Sequence, residues 1–566
     1  MFGIAALRAF NLRLFSAEIT PSTQSSFGHY QCNSALKLAK ELKRPPRDVA
    51  QALIDHLPNR ERFKEVAVAG PGFINIQLAG SYLELELARM ITDDRLGVRP
   101  SFDGQKVIVE YSSPNIAKEL HVGHLRSTII GESIARLLEF IGYSVLRLNH
   151  IGDFGTQFGM LIAYIAEYQA EVFKDGQDVS IEQLMDWYKQ SKKLFDEDEA
   201  FKKRAQLKVV ALQSQEKEAI SAWQRICEIS RFSYEEIYGL LEVSLMERGE
   251  SFYQPYLADI VKTFLDHGVA EYSDGAACVF MEGYQTAEKQ PLPLIIQKSD
   301  GGYNYATTDL AALYHRINHE QADRVIYVVD AGQKLHFDMG FDAAQKANIL
   351  DRSRVRVEHI GFGVVLGEDG KKFKTRSGET VKLIDLLMEA VHRAKQILTE
   401  RIKDADEQEM EALAIALGIN AVKYADLSCH RMKDYQFSYD RMLRFEGNTA
   451  AFLLYSYVRI LSIEKKAVGS IEGLPVAFYL EDPREIDLAL HLLRFSECIK
   501  EFEESLLPNQ LCDYLFTLAD QFNQFFRDCK VIGDAHEVSR RMLCAACRKV
   551  FEAGFSILGI RLMQRM

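Results

Sequence analysis

No stretch of this chain approaches the roughly 18–20 unbroken apolar residues that a membrane-spanning helix needs, although 47% of its 566 residues are hydrophobic. The chain is therefore expected to be non-membrane, with material for several buried cores; length suggests about three to four domains. Positive charge is also short: 68 Lys+Arg stand against 80 Asp+Glu, a net charge of -12. Binding nucleic acid by bulk charge is disfavoured, which leaves a local basic face open. There is no internal repeat and no low-complexity tract. The nine cysteines are scattered. Cys544 and Cys547 form a CxxC, but no second pair or nearby His completes a zinc set. Both lie in a helix-like run, Arg540 to Phe555, and are expected to be small core residues. Nine thiols without a signal peptide point to a reducing compartment, read as the cytoplasm. Residues 1–17 lack acid and carry Arg8, Arg13 and several large apolar residues. They read as the first amphipathic helix of a domain rather than a mitochondrial presequence, because organised sequence follows at once after Glu18.

What is present divides into three blocks. Residues 1–98 show helical patterns at 35–42 and 49–57, a strand at 65–69, a Gly70-Pro71-Gly72 turn and an alternating strand at 73–78. This predicts a small α+β domain. In residues 99–384, a strand at 106–110, a helix at 125–141 and a strand at 145–148 make a βαβ unit, hence a parallel sheet. The strand pattern resumes at Arg324 to Val329 after a charged, helix-rich insertion at about 167–248. Residues 385–566 carry helical periodicity almost throughout, broken near Gly469 to Pro483, and predict an all-helical domain.

The strongest local signal is His121-Val122-Gly123-His124, between the first strand of the second block and its helix. In a doubly wound α/β sheet this is the carboxyl edge of a strand, where ligands bind. The helix N-terminus offers free N–H groups and a positive dipole end to an anion. Two imidazoles three residues apart can both reach a phosphate, and Gly123 leaves room for a flat base against the backbone.

The wider run is more specific. Residues 113–127, Ser-Pro-Asn-Ile-Ala-Lys-Glu-Leu-His-Val-Gly-His-Leu-Arg-Ser, and residues 149–159, Asn-His-Ile-Gly-Asp-Phe-Gly-Thr-Gln-Phe-Gly, resemble the two active-site segments of the arginyl-tRNA synthetases. The resemblance continues through Asp309, Gln333, residues 361–378, residues 447–460 and Arg561-Leu562-Met563, and so covers nearly the whole chain. It implies a Rossmann-type catalytic domain carrying the HIGH motif. It also implies an enzyme that activates L-arginine with ATP to arginyl-adenylate and transfers it to the 3′ end of tRNA(Arg), releasing AMP and pyrophosphate. ATP with Mg²⁺ is expected, the ion held mostly by phosphates and water and by no protein cage. A monomer is implied.

Site roles follow from the resemblance residue by residue. His121, Gly123, His124, Lys118, Gly152, Asp153 and His336 would hold ATP. In the Lys-rich stretch that matches the family's mobile loop, the second lysine of the usual KMSKS pattern falls on Thr375. Lys371, Lys372, Lys374, Arg376 and, beside the HxGH motif, Lys118 are the cations left for that work. The guanidinium of arginine is planar and permanently charged, and needs carboxylates in fixed geometry. Glu250 and Asp309 are the two implied, with Tyr305 on the face of Asp309. Glu110, Asn115 and Gln333 would accept from the α-amino group, and Ser113, Pro114 and His124 would line the same pocket. Any one acid alone reads as a solvated surface carboxylate; only the joint match lifts them.

A site that reads donors with buried acceptors rejects substrates lacking them by about 10⁴ or more. No proofreading domain is then needed, in keeping with a short helical insertion. For tRNA, Tyr30 and Gln31 in the first block and Tyr455 and Arg459 in the third are the candidate contacts; Tyr455 and Arg459 share a helix face. Two other readings stay open at this point: a synthetase for another amino acid, and a non-catalytic RNA-binding paralogue. The Glu250/Asp309 pair and the absence of an editing insert oppose the first. The intact HxGH histidines oppose the second.

Overall fold

The strand Lys106–Glu110 carries Val107, Ile108 and Val109 in succession and is buried on both faces. Such a run belongs in the interior of a parallel sheet covered by helices on each side. A computed structural model, which describes residues 1–566 apart from 101–103, 174–178, 368, 372–380 and 472–475, places it there. The sheet has five strands, all parallel, ordered Arg356–His359, Arg324–Tyr327, Lys106–Glu110, Ser144–Asn149, Met246–Glu247. The chain runs outward from the central strand in one direction and then resumes on its other side. The order therefore reverses at Lys106–Glu110, and a reversal opens a crevice beyond the carboxyl ends of the strands. The helix Val122–Phe140 starts in that crevice and is buried on nearly every side.

The chain divides into two compact units. One contains residues 100–454, 501–513 and 554–566, and holds the parallel sheet. The insertion appears there as three helices, Ile181–Glu197, Glu199–Gln213 and Lys217–Leu241. A three-stranded antiparallel sheet, Glu271–Ser273, Ala276–Val279 and Leu294–Gln297, precedes the helix Tyr305–Asn318. The pair of helices Leu383–Arg401 and Glu407–Leu427 belongs to this unit too, although periodicity groups it with the C-terminal helices. The reason is a buried charge pair: Asp426 on the second helix accepts from Nε of the fully buried Arg126, on the helix that follows the HxGH motif.

The other unit contains residues 1–99, 455–500 and 514–553. Its four-stranded antiparallel sheet is ordered Ile19–Pro21, Tyr30–Cys32, Phe73–Leu78, Phe63–Ala69. The first helix, Phe2–Phe10, buries Phe2, Ala5 and Ala6 in the same core as Leu53, Ile74 and Ile76. Helices of the C-terminal half share the unit: Lys549 Nζ donates to Ile91 O at 2.8 Å, and Leu480 N–H to Glu84 Oε1 at 2.9 Å. Cys544 and Cys547 are fully buried in the helix Glu537–Leu558. Among the described residues no helix is long and apolar enough to cross a membrane.

Candidate active site

The HxGH turn is built by the histidines themselves. His121 is the N-cap of the helix Val122–Phe140, and its Nδ1 accepts the N–H of Gly123 at 3.1 Å. His124 closes a reciprocal cap, its Nδ1 accepting the N–H of His121 at 3.0 Å. An Nδ1 that accepts carries no proton, so in the neutral ring the hydrogen sits on Nε2 and points away from the backbone. Desolvation lowers both pKa values, that of His124 to about 3, and the nearby Lys118 ammonium lowers both further. The two rings, 4.0 Å apart, are therefore neutral N–H donors near pH 7, and the cation at this edge is Lys118.

The loop before the cap is held out of its relaxed shape. Ser112, Ser113 and Ala117 have φ of 70°, 47° and 60°, a left-handed region that costs a non-glycine residue about 1–2 kcal/mol. Gly152 N–H donates to Pro114 O at 3.0 Å and Ile116 N–H to Gly152 O at 3.1 Å, so the two active-site segments run side by side. A Cβ on Gly152 would collide with the Asn115 side chain. The side chains of Asn115 and Lys118 are exposed, and Ser113 Oγ is buried with no hydrogen-bond partner among the described residues.

Across the crevice stand two carboxylates. Glu250 opens a short helical turn, Glu250–Tyr253, and Asp309 lies in the second turn of Tyr305–Asn318. Desolvation, then the charges of Asp309 and Asp153, push Glu250 up to about 8. Tyr305 is exposed on the helix face of Asp309. Gln333 is exposed, its amide 3.3 Å from Asp330.

Three candidates have surroundings that differ from those expected. His336 donates through Nε2 to Asp309 at 2.6 Å, so it stands on the carboxylate meant for the guanidinium rather than on a phosphate; that bond raises its pKa. Asp153 has both oxygens taken by Ser251, Oδ1 by the N–H at 2.8 Å and Oδ2 by the hydroxyl at 2.6 Å. Its work is to seat the turn that carries Glu250, and Gly249 leaves it the space a Cβ would fill. Glu110 gives Oε2 to the fully buried Arg316, so the expected acceptor for the α-amino group is partly spent inside the protein. Lys372, Lys374 and Arg376 lie outside the described residues.

Sequence reasoning missed Arg316 and Arg126. Arg316 lies seven residues after Asp309, on the same helix face, which was its one signal. Arg126 donates through Nη1 to Gly363 O at 2.6 Å and to Lys433 O at 3.2 Å. It lies over the rings of Phe362 and Tyr435, and so ties the HxGH helix to the glycine-rich lead-in of the Lys-rich loop.

In the other unit Tyr30 has one ring face covered by the guanidinium of Arg494, 4.9 Å from its centroid, and its hydroxyl 3.2 Å from Glu497. That face is not free for a base. The Gln31 amide donates to Asn75 at 2.8 Å. Arg459 stacks on Tyr455 and on Phe526, 4.9 and 5.2 Å from their centroids, and donates to Asn523 at 2.5 Å.

A parallel sheet that reverses order beside its HxGH turn, with a second glycine-bearing segment bonded along it, defines the catalytic body of a class I aminoacyl-tRNA synthetase. Family models agree on the class and narrow it. The catalytic domain of "tRNA synthetases class I (R)" matches residues 86–439, a "DALR anticodon binding domain" residues 453–566, and an "Arginyl tRNA synthetase N terminal domain" residues 4–78. The arginine–tRNA ligase of Protochlamydia amoebophila is 54% identical, covering 98% of this chain and 95% of its own. That of Crocosphaera subtropica is 51% identical, covering 95% and 93%. Among solved structures, the arginyl-tRNA synthetase of Plasmodium falciparum superposes with a TM-score of 0.86 at 33% identity, covering 100% of this chain and 98% of its own. The chain belongs to the arginyl-tRNA synthetase family.

Proposed function

We propose that the crevice takes ATP on its HxGH side and arginine on its Glu250–Asp309 side. As a member of its family the chain is an ATP-dependent arginine–tRNA ligase. The carboxylate of arginine attacks the α-phosphorus of ATP in line, pyrophosphate leaves, and a ribose hydroxyl at the 3′ end of the tRNA then displaces AMP from arginyl-adenylate. No protein nucleophile is required; positioning and charge compensation suffice. The observation that carries the assignment of the amino-acid side is the pair Glu250 and Asp309: burial first, and then the charge of Asp309, keep the proton on Glu250. A guanidinium answers both acids at once, whereas an uncharged side chain would leave the buried Glu250 without a counter-charge.

On the ATP side, Nε2–H of His121 and of His124 donate to phosphate oxygens, and Lys118 supplies the charge. Lys372, Lys374 and Arg376 of the Lys-rich loop complete the cationic set, and Gly123 and Gly152 admit the nucleotide close to backbone. Ser113 Oγ, Asn115 and Gln333 meet the α-amino end of arginine beside Pro114. Mg²⁺ arrives with ATP and offsets phosphate charge, held mostly by phosphates and water. Arg459, whose guanidinium lies against two rings, and Tyr455 are the anticodon-side candidates; Gln31 and the remaining face of Tyr30, in the first block, are the candidates for the tRNA elbow. The enzyme works as a monomer in the cytoplasm, where its nine thiols stay reduced.

Pyrophosphate exchange with each amino acid in turn, with and without tRNA, tests this. Arginine should be the one active substrate. Exchange with another amino acid, or none with arginine and its tRNA together, would overturn the assignment. His124→Ala should abolish exchange and cost the fold only about 1 kcal/mol, the loss of half a cap.

A further inference from the structure

The last insertion helix, Lys217–Leu241, has no part in the chemistry above, yet one of its faces is turned to the site. Trp223, Ser230, Tyr234 and Tyr238 follow one another at intervals of seven, four and four residues, and so share that face. Each makes a hydrogen bond to one of the two active-site segments. Trp223 Nε1 donates to Asp153 O at 2.7 Å. The Tyr238 hydroxyl lies 2.7 Å from Ser112 Oγ and 3.2 Å from Asn149 Nδ2. Ser230 Oγ accepts the N–H of Ala117 at 3.0 Å. The Tyr234 hydroxyl stands 2.7 Å from Asn115 O and 2.9 Å from Lys118 O.

The last two contacts bracket one residue. Ser230 holds the N–H just before Lys118, and Tyr234 holds the carbonyl of Lys118 itself. Between them Ala117 is kept at a φ of 60°, a conformation an alanine abandons once its restraints go. Ser230 and Tyr234 are buried, whereas Lys118 is exposed, near enough for its charge to act on His121 and His124. The helix owes its own place to apolar residues, Ile226, Ile229, Ile237 and Leu241 among them, so it survives the loss of a hydroxyl.

We propose that the helix Lys217–Leu241 is a positioning element of the active site, and that Tyr234 and Ser230 are positioning residues that set where Lys118 meets the phosphates of ATP. The inference rests on the reading of this loop as the ATP side. Neither residue touches substrate; both act through Lys118.

The test uses the full chain and arginine-dependent, tRNA-supported pyrophosphate exchange. Tyr234→Phe is expected to lower kcat by about ten- to a hundredfold, since small displacements of a reacting constellation are that costly. KM for arginine should stay within about threefold, because its guanidinium end is held by Glu250 and Asp309, outside this loop. Ser230→Ala should act in the same direction. In a Lys118→Ala background Tyr234→Phe should change kcat by less than about threefold, since residues acting through one another are not additive. Undiminished kcat in Tyr234→Phe and Ser230→Ala, or an equal loss with and without Lys118, would overturn the proposal. Should Tyr234→Phe melt early, Ser230→Ala at the same readout decides. His124→Ala separates the two levels: if it is fully active the site itself is misassigned, and if it is inactive beside an unaffected Tyr234→Phe only the positioning role falls.

Discussion

Glu250 shows how a single residue's chemistry is set by what surrounds it. Burial and two neighbouring carboxylates raise it to about 8, so near neutrality it is mostly protonated until a cation arrives. A guanidinium needs the ionised form, and binding therefore releases a proton. KM for arginine should fall by roughly tenfold or more between about pH 6.5 and 8.5, and Glu250→Gln should flatten that slope while raising KM throughout. His336 acts with the same sign. Asp309 raises its pKa, and its imidazolium competes for Asp309 at low pH. The stability account agrees: a carboxyl with a raised folded pKa stabilises the fold most at low pH and loses that contribution as pH rises through about 8. Added arginine should then raise the melting temperature more at the higher pH. A KM independent of pH across this range would mean that Glu250 does not receive the guanidinium.

At the scale of elements, positions were legible where periodicity was long. Strands Phe73–Leu78 and Lys106–Glu110 stand where their patterns place them, and the insertion at about 167–248 is helical as read, though its three helices were not placed one by one. The antiparallel sheet of Glu271–Ser273, Ala276–Val279 and Leu294–Gln297 was not read from the sequence. Its strands are three or four residues long, and strand preference is mostly packing, which a sequence does not display. The HxGH helix begins three residues earlier than its apolar face, because His121 caps it. The Glu250–Tyr253 turn is too short for any pattern and is seated by Asp153. Asp153→Asn should consequently raise KM for arginine about tenfold, the worth of a charge-assisted hydrogen bond, and leave KM for ATP nearly unchanged. A selective rise in KM for ATP would return Asp153 to the nucleotide, where the family resemblance puts it.

For the whole molecule, Arg126 has the largest consequence. It is fully buried, paired with Asp426 and bonded to the lead-in of the Lys-rich loop. Arg126→Ala strands a buried carboxylate, which should cost about 3–5 kcal/mol in urea or thermal unfolding. That is a large part of a typical 5–15 kcal/mol, in contrast to the mild cost of His124→Ala. A fold loss under about 1 kcal/mol would mean that Asp426 finds another partner. The sequence alone determined the family and the parallel sheet, because these are written in contiguous motifs and regular periods. Tertiary structure alone decided which donor each acid faces: His336 on Asp309, Arg316 on Glu110, Ser251 on Asp153. It also decided that the two HxGH imidazoles cap the helix reciprocally through Nδ1, which leaves their Nε2–H groups outward. Proton positions and burial depend on residues far apart in the chain, and no local pattern encodes a desolvation that the fold creates.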